Sequence, residues 1–209
     1  MTDASTSPEI HPRTARLMAR VRAAQGADGR LPLPDVAEWE IFPFEGDLVV
    51  KRLEDPVLPE PPRGGEGGRP CHSCDTGTSN ALWADERWKL VAPEPAGIPL
   101  VLLCTIEHLD LGDLDDVLAG ELGVLSVRLE GVLTSLGGVG RVHVWRIGDG
   151  GAHLHVWFFA RPAGVLQLRG SSLSDWCDTL PPMPQDEWDD VLDEIATAMA
   201  SRGGRNLRP

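Results

Sequence analysis

The stretch Ala152–Phe159, AHLHVWFF, decides the fold. Successive side chains of a strand point to opposite faces, so Leu154, Val156 and Phe158 form an apolar set while His153, His155 and Trp157 share the other side. The apolar set is the core face. Two histidines two positions apart on the face that the core leaves free carry chemistry more readily than packing. Arg141–Ile147, RVHVWRI, alternates in the same way, and the intervening GDGG reads as a four-residue hairpin loop with Ile147 opposite Ala152. In that register Arg146 lies opposite His153, placed to hold a phosphate, with a salt bridge to an acidic neighbour as the other reading. His143 then falls on the core side with Trp145 and Val156.

Upstream, Asp113–Leu136 places leucines and valines at spacings of three and four, which predicts a long amphipathic helix despite Gly120, Gly123 and Gly131. Asp113, Asp115 and Asp116 suit its positive N-terminal end, and Gly137 and Gly138 stop it. Two strands precede it, Ala81–Ala92 and Ile98–Thr105, broken by PEPAG. After the hairpin, Gln185–Ala200 is a second amphipathic helix with Trp188, Val191, Leu192, Ile195 and Met199 on one side. Trp176 and Trp188 read as core anchors, and Cys104 and Cys177 as packed thiols. Strands followed by helices of this kind define an α+β chain.

The N-terminal third reads differently. Ten of the 18 prolines fall in the first 70 residues, and Pro56–Pro70, PVLPEPPRGGEGGRP, reads as a linker. Before it come a short Arg-faced helix, Arg13–Ala24, and two candidate strands around Trp39–Phe44 and Asp47–Leu53. The chain thus divides into an extension (1–70), an organised core (71–170) and a C-terminal helix with its tail (171–209).

Charge bounds the partners. With 19 Lys+Arg against 32 Asp+Glu the net charge is −13, which repels a nucleic-acid polymer. The longest apolar run, Ile98–Cys104, is far short of the roughly 20 residues that span a bilayer. A polar N-terminus without a secretory segment points to the cytoplasm, where thiols stay reduced. The four cysteines are therefore ligands or core residues, not disulfides.

Cys71 and Cys74, CHSC, have the spacing with which two thiolates grip one zinc ion, which closes tetrahedrally with two further N or S ligands. A redox pair fits less well, because no obvious helix follows. The remaining ligands must come from afar: His108 and a histidine of the hairpin are the candidates. His72 lies between the cysteines and points elsewhere, and His11 lies in the loose N-terminus.

This order of motifs resembles the histidine triad (HIT) superfamily, above all its zinc-containing and galactose-phosphate uridylyltransferase-like branches. The resemblance covers Cys71 to about Gly164. It rests on CxxC, a strand leading to His108 and the long helix, and a hairpin whose second strand reads His-x-His-x-Trp before Arg161-Pro162, with 33 residues between Cys74 and His108 and 44 between His108 and His153. It implies an antiparallel sheet with the long helix packed on it. It also implies Cys71, Cys74, His108 and His153 as ligands of a structural zinc, and His155 as the nucleophile that attacks the α-phosphorus of a nucleotide. Arg161 matches a basic residue of the family, and pairing into a homodimer is implied as well. The sequence departs from the pattern in two places. Trp157 stands where the third histidine belongs, and an indole N–H can donate to a phosphate but cannot relay a proton. The loop before the strand is Gly148-Asp149-Gly150-Gly151, without polar phosphate-holding side chains other than an opposing carboxylate. The expected function is a nucleotidyl hydrolase or transferase. The alternative is an inactive HIT-like zinc protein that binds a small phosphorylated ligand or a protein partner.

Overall fold

The computed structural model describes residues 11–32, 44–45, 49–50 and 60–209. Its centre is a six-stranded antiparallel sheet in the order β6-β7-β5-β4-β3-β8. The strands are β3 (Ala81–Ala84), β4 (Trp88–Val91), β5 (Leu100–Thr105), β6 (Val139–Trp145), β7 (His155–Pro162) and β8 (Arg205–Asn206). Helices α1 (Pro12–Ala24), α2 (His72–Thr76), α3 (Asp116–Ser135), α4 (Leu173–Thr179) and α5 (Gln185–Ala200) accompany it, and β1 (Phe44–Glu45) and β2 (Val49–Val50) pair separately. The rest of the two N-terminal candidate strands lies outside the described residues. Among the described residues no helix is long and apolar enough to cross a membrane.

Strand alternation divides the sheet into two faces. Leu90, Val101, Leu103, Val156 and Phe158 are buried on the side where α3 and α5 pack, and Trp88 on that side donates its indole N–H to Glu121 of α3 at 2.9 Å. Lys89, Leu102, Cys104, His155 and Trp157 line a cavity on the other side. Helix α3 buries Leu125, Leu129, Val132 and Leu133. Its interior glycines each cost about 1 kcal/mol relative to alanine, so packing rather than propensity sustains it. Asp115 caps it, accepting from the Leu118 N–H at 2.8 Å. We expect Asp115→Ala to lower stability by about 1 kcal/mol, read from urea unfolding, without altering the metal site.

Three parts of the sheet differ from the sequence reading. The single strand Ala81–Ala92 is a hairpin, because the Asp85 carboxylate accepts from the Arg87 and Trp88 N–H groups (2.8 and 2.7 Å) and turns the chain. The β6–β7 register is Trp145↔Trp157 and His143↔Phe159, not Ile147 opposite Ala152. The connection therefore runs from Arg146 to Leu154, and His153 sits just ahead of the strand. The cause is distant in sequence: Gly64 N–H donates to Gly150 O (3.1 Å) and Ala152 N–H to Gly64 O (2.9 Å), which draws the glycine loop away from hairpin pairing. The stretch read as a linker is thus partly a strap across that loop. His143 accordingly leaves the core side and stands beside Trp145 and Phe159.

The N-terminal helix also joins the body. Leu17 is buried in the core, and Arg13, Arg16 and Arg20 pair with Glu194 and Glu187 of α5. His11 is not loose: its Nδ1 accepts from the Arg13 N–H, and its ring lies against Gly137 and Gly138 at the end of α3. Those glycines have φ of 75° and 70°, and a Cβ on either would strike the His11 ring. The C-terminal helix has the bounds read from its pattern, with Trp188, Val191, Leu192, Ile195 and Met199 buried.

Candidate metal centre and adjoining cavity

The four residues expected to bind zinc converge. One donor atom from each of Cys71, Cys74, His108 and His153 lies within 4.8 Å of all the others. Sγ of Cys71 and Sγ of Cys74 both stand 3.5 Å from His153 Nδ1, and Cys74 Sγ is 3.4 Å from His108 Nδ1. Tetrahedral zinc with Zn–S near 2.3 Å and Zn–N near 2.0 Å separates its S and N ligands by roughly 3.5 Å, so the donor set fits that ion. The cysteines reach it from either end of one turn: contrary to the sequence reading, a short helix, α2, does follow Cys71, and Cys74 N–H donates to Cys71 O at 3.0 Å.

His153 is 4% exposed, and its Nε2 lies 2.8 Å from Thr105 O. A carbonyl only accepts, so Nε2 carries the hydrogen and Nδ1 presents its lone pair to the cluster, the arrangement that orients a metal-binding imidazole. Burial holds the group below the ordinary histidine range, against the hydrogen bond to Thr105 that favours its charged form. Gly65 closes the site over His108. With φ of 89°, a Cβ there would lie 2.5 Å from His108 Cε1.

Lys89 was missed in the sequence. Its ammonium, on a residue only 1% exposed, donates to Ser73 O at 2.8 Å and to Gly77 O, the carbonyls that flank Cys74 and end α2. A single lysine within WKLV was the available signal. A polar residue in an apolar strand that cannot reach solvent has to find partners inside.

His155 opens β7 and faces a cavity of about 390 Å³, whose lining includes Cys104, Leu102, Trp157 and Gly151. Its Nδ1 lies 2.7 Å from His153 O. A carbonyl only accepts, so Nδ1 carries a hydrogen and, in the neutral ring, the lone pair is on Nε2. Trp157 stands edge-on to His155, ring centroids 6.5 Å apart, and stacks on Phe159 at 5.8 Å. Cys104, across the strand pair from His155, is buried, and burial pushes its thiol up to about 12, as burial does for Cys177. Both are packed thiols.

The two arginines expected near a phosphate are placed otherwise. Arg146 does not lie opposite His153, because the register is displaced; it pairs with Asp110, which also accepts from Arg63 at 2.8 Å. Arg161 shares a strand face with His155 but lies six residues on, roughly 20 Å away. Asp110 is the hinge of the strap, since Arg63 also donates to Gly148 O at 2.9 Å. Burial raises its carboxyl, but hydrogen bonds from Arg146, the Leu111 N–H and Arg63 outweigh that and hold it at about 2. A lowered folded-state value stabilises above the unfolded carboxyl range near 4 and loses that contribution as pH falls through about 2. Asp110→Asn should therefore cost about 2 kcal/mol at pH 6, and the urea curves of variant and parent should converge between about pH 4 and 2.

No family model matches the sequence, and no curated protein matches it. Solved structures that are similar include a histidine triad protein from Bradyrhizobium japonicum (19% identity, 56% of this chain and 88% of that one, TM-score 0.48). A histidine triad protein from Marinobacter aquaeolei has 16% identity over 61% of this chain and 94% of its own, with a TM-score of 0.49. A zinc-bound histidine triad family protein from Mycobacterium smegmatis has 14% identity over 62% and 94%, with a TM-score of 0.44. The chain has the α+β fold expected from its sequence, a six-stranded antiparallel sheet with a long helix packed on it, and its order of motifs resembles that of histidine triad proteins.

Proposed function

We propose that the chain is a zinc-stabilised, cytoplasmic nucleotidyl hydrolase or transferase of HIT type. Cys71, Cys74, His108 and His153 hold a structural zinc, and His155 is the nucleophile. The observation that carries the reading is the Nδ1–H bond from His155 to His153 O. That one hydrogen bond ties His155 to the residue that the metal would fix and, in the neutral ring, places the lone pair on Nε2. With all four positions taken by protein, zinc supplies rigidity and no open coordination site.

In the first half-reaction the Nε2 lone pair forms a bond to the α-phosphorus, and the bond from phosphorus to the leaving group breaks. The leaving group departs with that electron pair and takes a proton from water. Water, or an acceptor hydroxyl, then attacks the same phosphorus and frees His155. Trp157 supports placement rather than proton transfer: its ring lines the cavity beside His155 and offers a face to a nucleobase or leaving group, and its N–H offers one donor to phosphate. Residues 71–170 would form the catalytic core, with the flanking segments buttressing it.

A second reading, a HIT-like zinc protein that binds a phosphorylated ligand without turning it over, is favoured by one observation. Neither Trp157 nor the Gly148–Gly151 loop provides an acid for the leaving group, and Arg146 is held by Asp110. Product analysis with a panel of nucleoside phosphates bearing good and poor leaving groups separates the two. Turnover that rises with leaving-group acidity supports the enzyme, and saturable binding with no product supports the second reading.

A further inference from the structure

The end of β6–β7 farthest from His155 gathers positive charge in a chain of net charge −13. Arg141 and Arg161 are directly paired across the two strands with both side chains at Gly140, and Arg169, after the 3-10 turn Leu166–Leu168, is near enough that, after burial and Arg141, it too lowers the pKa of the Arg161 guanidinium. Like charges in opposed strand positions destabilise a sheet, so the pair needs a compensating partner. Arg13, Arg20, Arg63, Arg87, Arg146 and Arg208 each hold a carboxylate, but among the described residues none lies within 4 Å of Arg141, Arg161 or Arg169. Backbone carbonyls fix the three side chains instead: Arg141 donates to Gly140 O, Arg161 to Pro162 O (2.9 Å) and Val165 O, and Arg169 to Leu166 O (2.7 Å). Arg161 is 7% exposed, and its buried Nε–H has no acceptor among the described residues. An orphaned buried donor costs free energy.

We infer that Arg141, Arg161 and Arg169 form a binding site for a phosphate-class dianion, separate from the His155 cavity. The chemistry is that of several guanidinium donors around one tetrahedral anion, whose charge cancels the repulsion. The anion is either free phosphate or the far phosphate of a molecule whose other end fills the cavity. Between the two sites runs an aromatic track, Trp157, Phe159, Trp145 and His143, with neighbouring ring centroids 5.0 to 6.1 Å apart. His143 reports on the site: burial and then Arg161 hold it below the ordinary histidine range.

The test is titration of the full-length protein with inorganic phosphate at low salt, by calorimetry and by NMR of the His143 imidazole. Binding is expected, with the His143 titration moving up as anion neutralises Arg161. Arg141→Ser and Arg169→Ser should each weaken it about tenfold, the loss of one charge-assisted contact, with an unchanged or higher thermal midpoint because repulsion is relieved. Arg87→Gln, on the far side of the sheet, should bind as the parent does. Absence of phosphate binding at tens of millimolar, or binding unaltered by the Arg141 and Arg169 changes, overturns the site. Titrating phosphate against nucleotide distinguishes the sources: competition assigns the phosphate to a bridging ligand, and additive binding assigns it to a free anion. His155→Ala should leave phosphate binding intact, so a failure of the catalytic reading remains visible separately.

Discussion

Stripping metal from the purified chain is expected to lower its thermal midpoint by about 10 °C or more and to loosen the Cys71–Thr76 turn first. The cluster joins three parts of the chain, the α2 turn, the segment after β5 and the approach to β7, at one point. Structural zinc contributes on the order of 10 kcal/mol in small zinc modules. If only a third of that is expressed in a chain with its own core, the shift at about 2 to 4 °C per kcal/mol for this size is near 10 °C. Metal analysis should give one zinc per chain, falling well below that in Cys71→Ser and in His108→Ala. His153→Ala should do the most damage, because it removes a ligand, the bond to Thr105 and a buried ring together. The readouts are metal content and calorimetric unfolding with and without chelator.

Replacing His155 with alanine is expected to lower nucleotidyl turnover by roughly four orders of magnitude or more while the fold and the zinc content stay intact. A nucleophile that forms a covalent intermediate has no substitute within the cavity, and losses of this size follow when one is removed. His155 is half-buried and, among the described residues, its one side-chain hydrogen bond is to His153 O, so its loss leaves little unsatisfied. His155→Gln keeps a donor for that carbonyl but has no imidazole lone pair. It should be as inactive as alanine, separating nucleophilic from positioning roles.

The sequence alone singled out CHSC and His108 but left the hairpin histidine open; the choice of His153 came from the resemblance to histidine triad proteins, and the four side chains do converge. The helices were legible, since α3 and α5 follow from periodicity and their ends from acidic caps and glycines. What escaped was set by contacts between distant segments or by a single side chain's local bonds. GDGG carries the local signature of a hairpin loop, yet Gly64, more than 80 residues earlier, captures Gly150 and Ala152 and shifts the register. Arg146 lost its place opposite His153 for that reason and found Asp110. Asp85 broke a strand through two side-chain hydrogen bonds that a composition of ALWADERWKLVA conceals. Lys89 looks solvent-bound on charge alone, and only the carbonyls of the α2 turn explain its burial.

The most direct test of His155 as a nucleophile is intact-mass measurement of the zinc-loaded protein after brief incubation with a panel of nucleotides, trapped in acid-free denaturant. The expected result is a gain of one nucleotidyl group, mapped to the peptide containing His155 and absent from His155→Ala. An unmodified mass with every nucleotide, together with no turnover from protein carrying its full zinc, would contradict it.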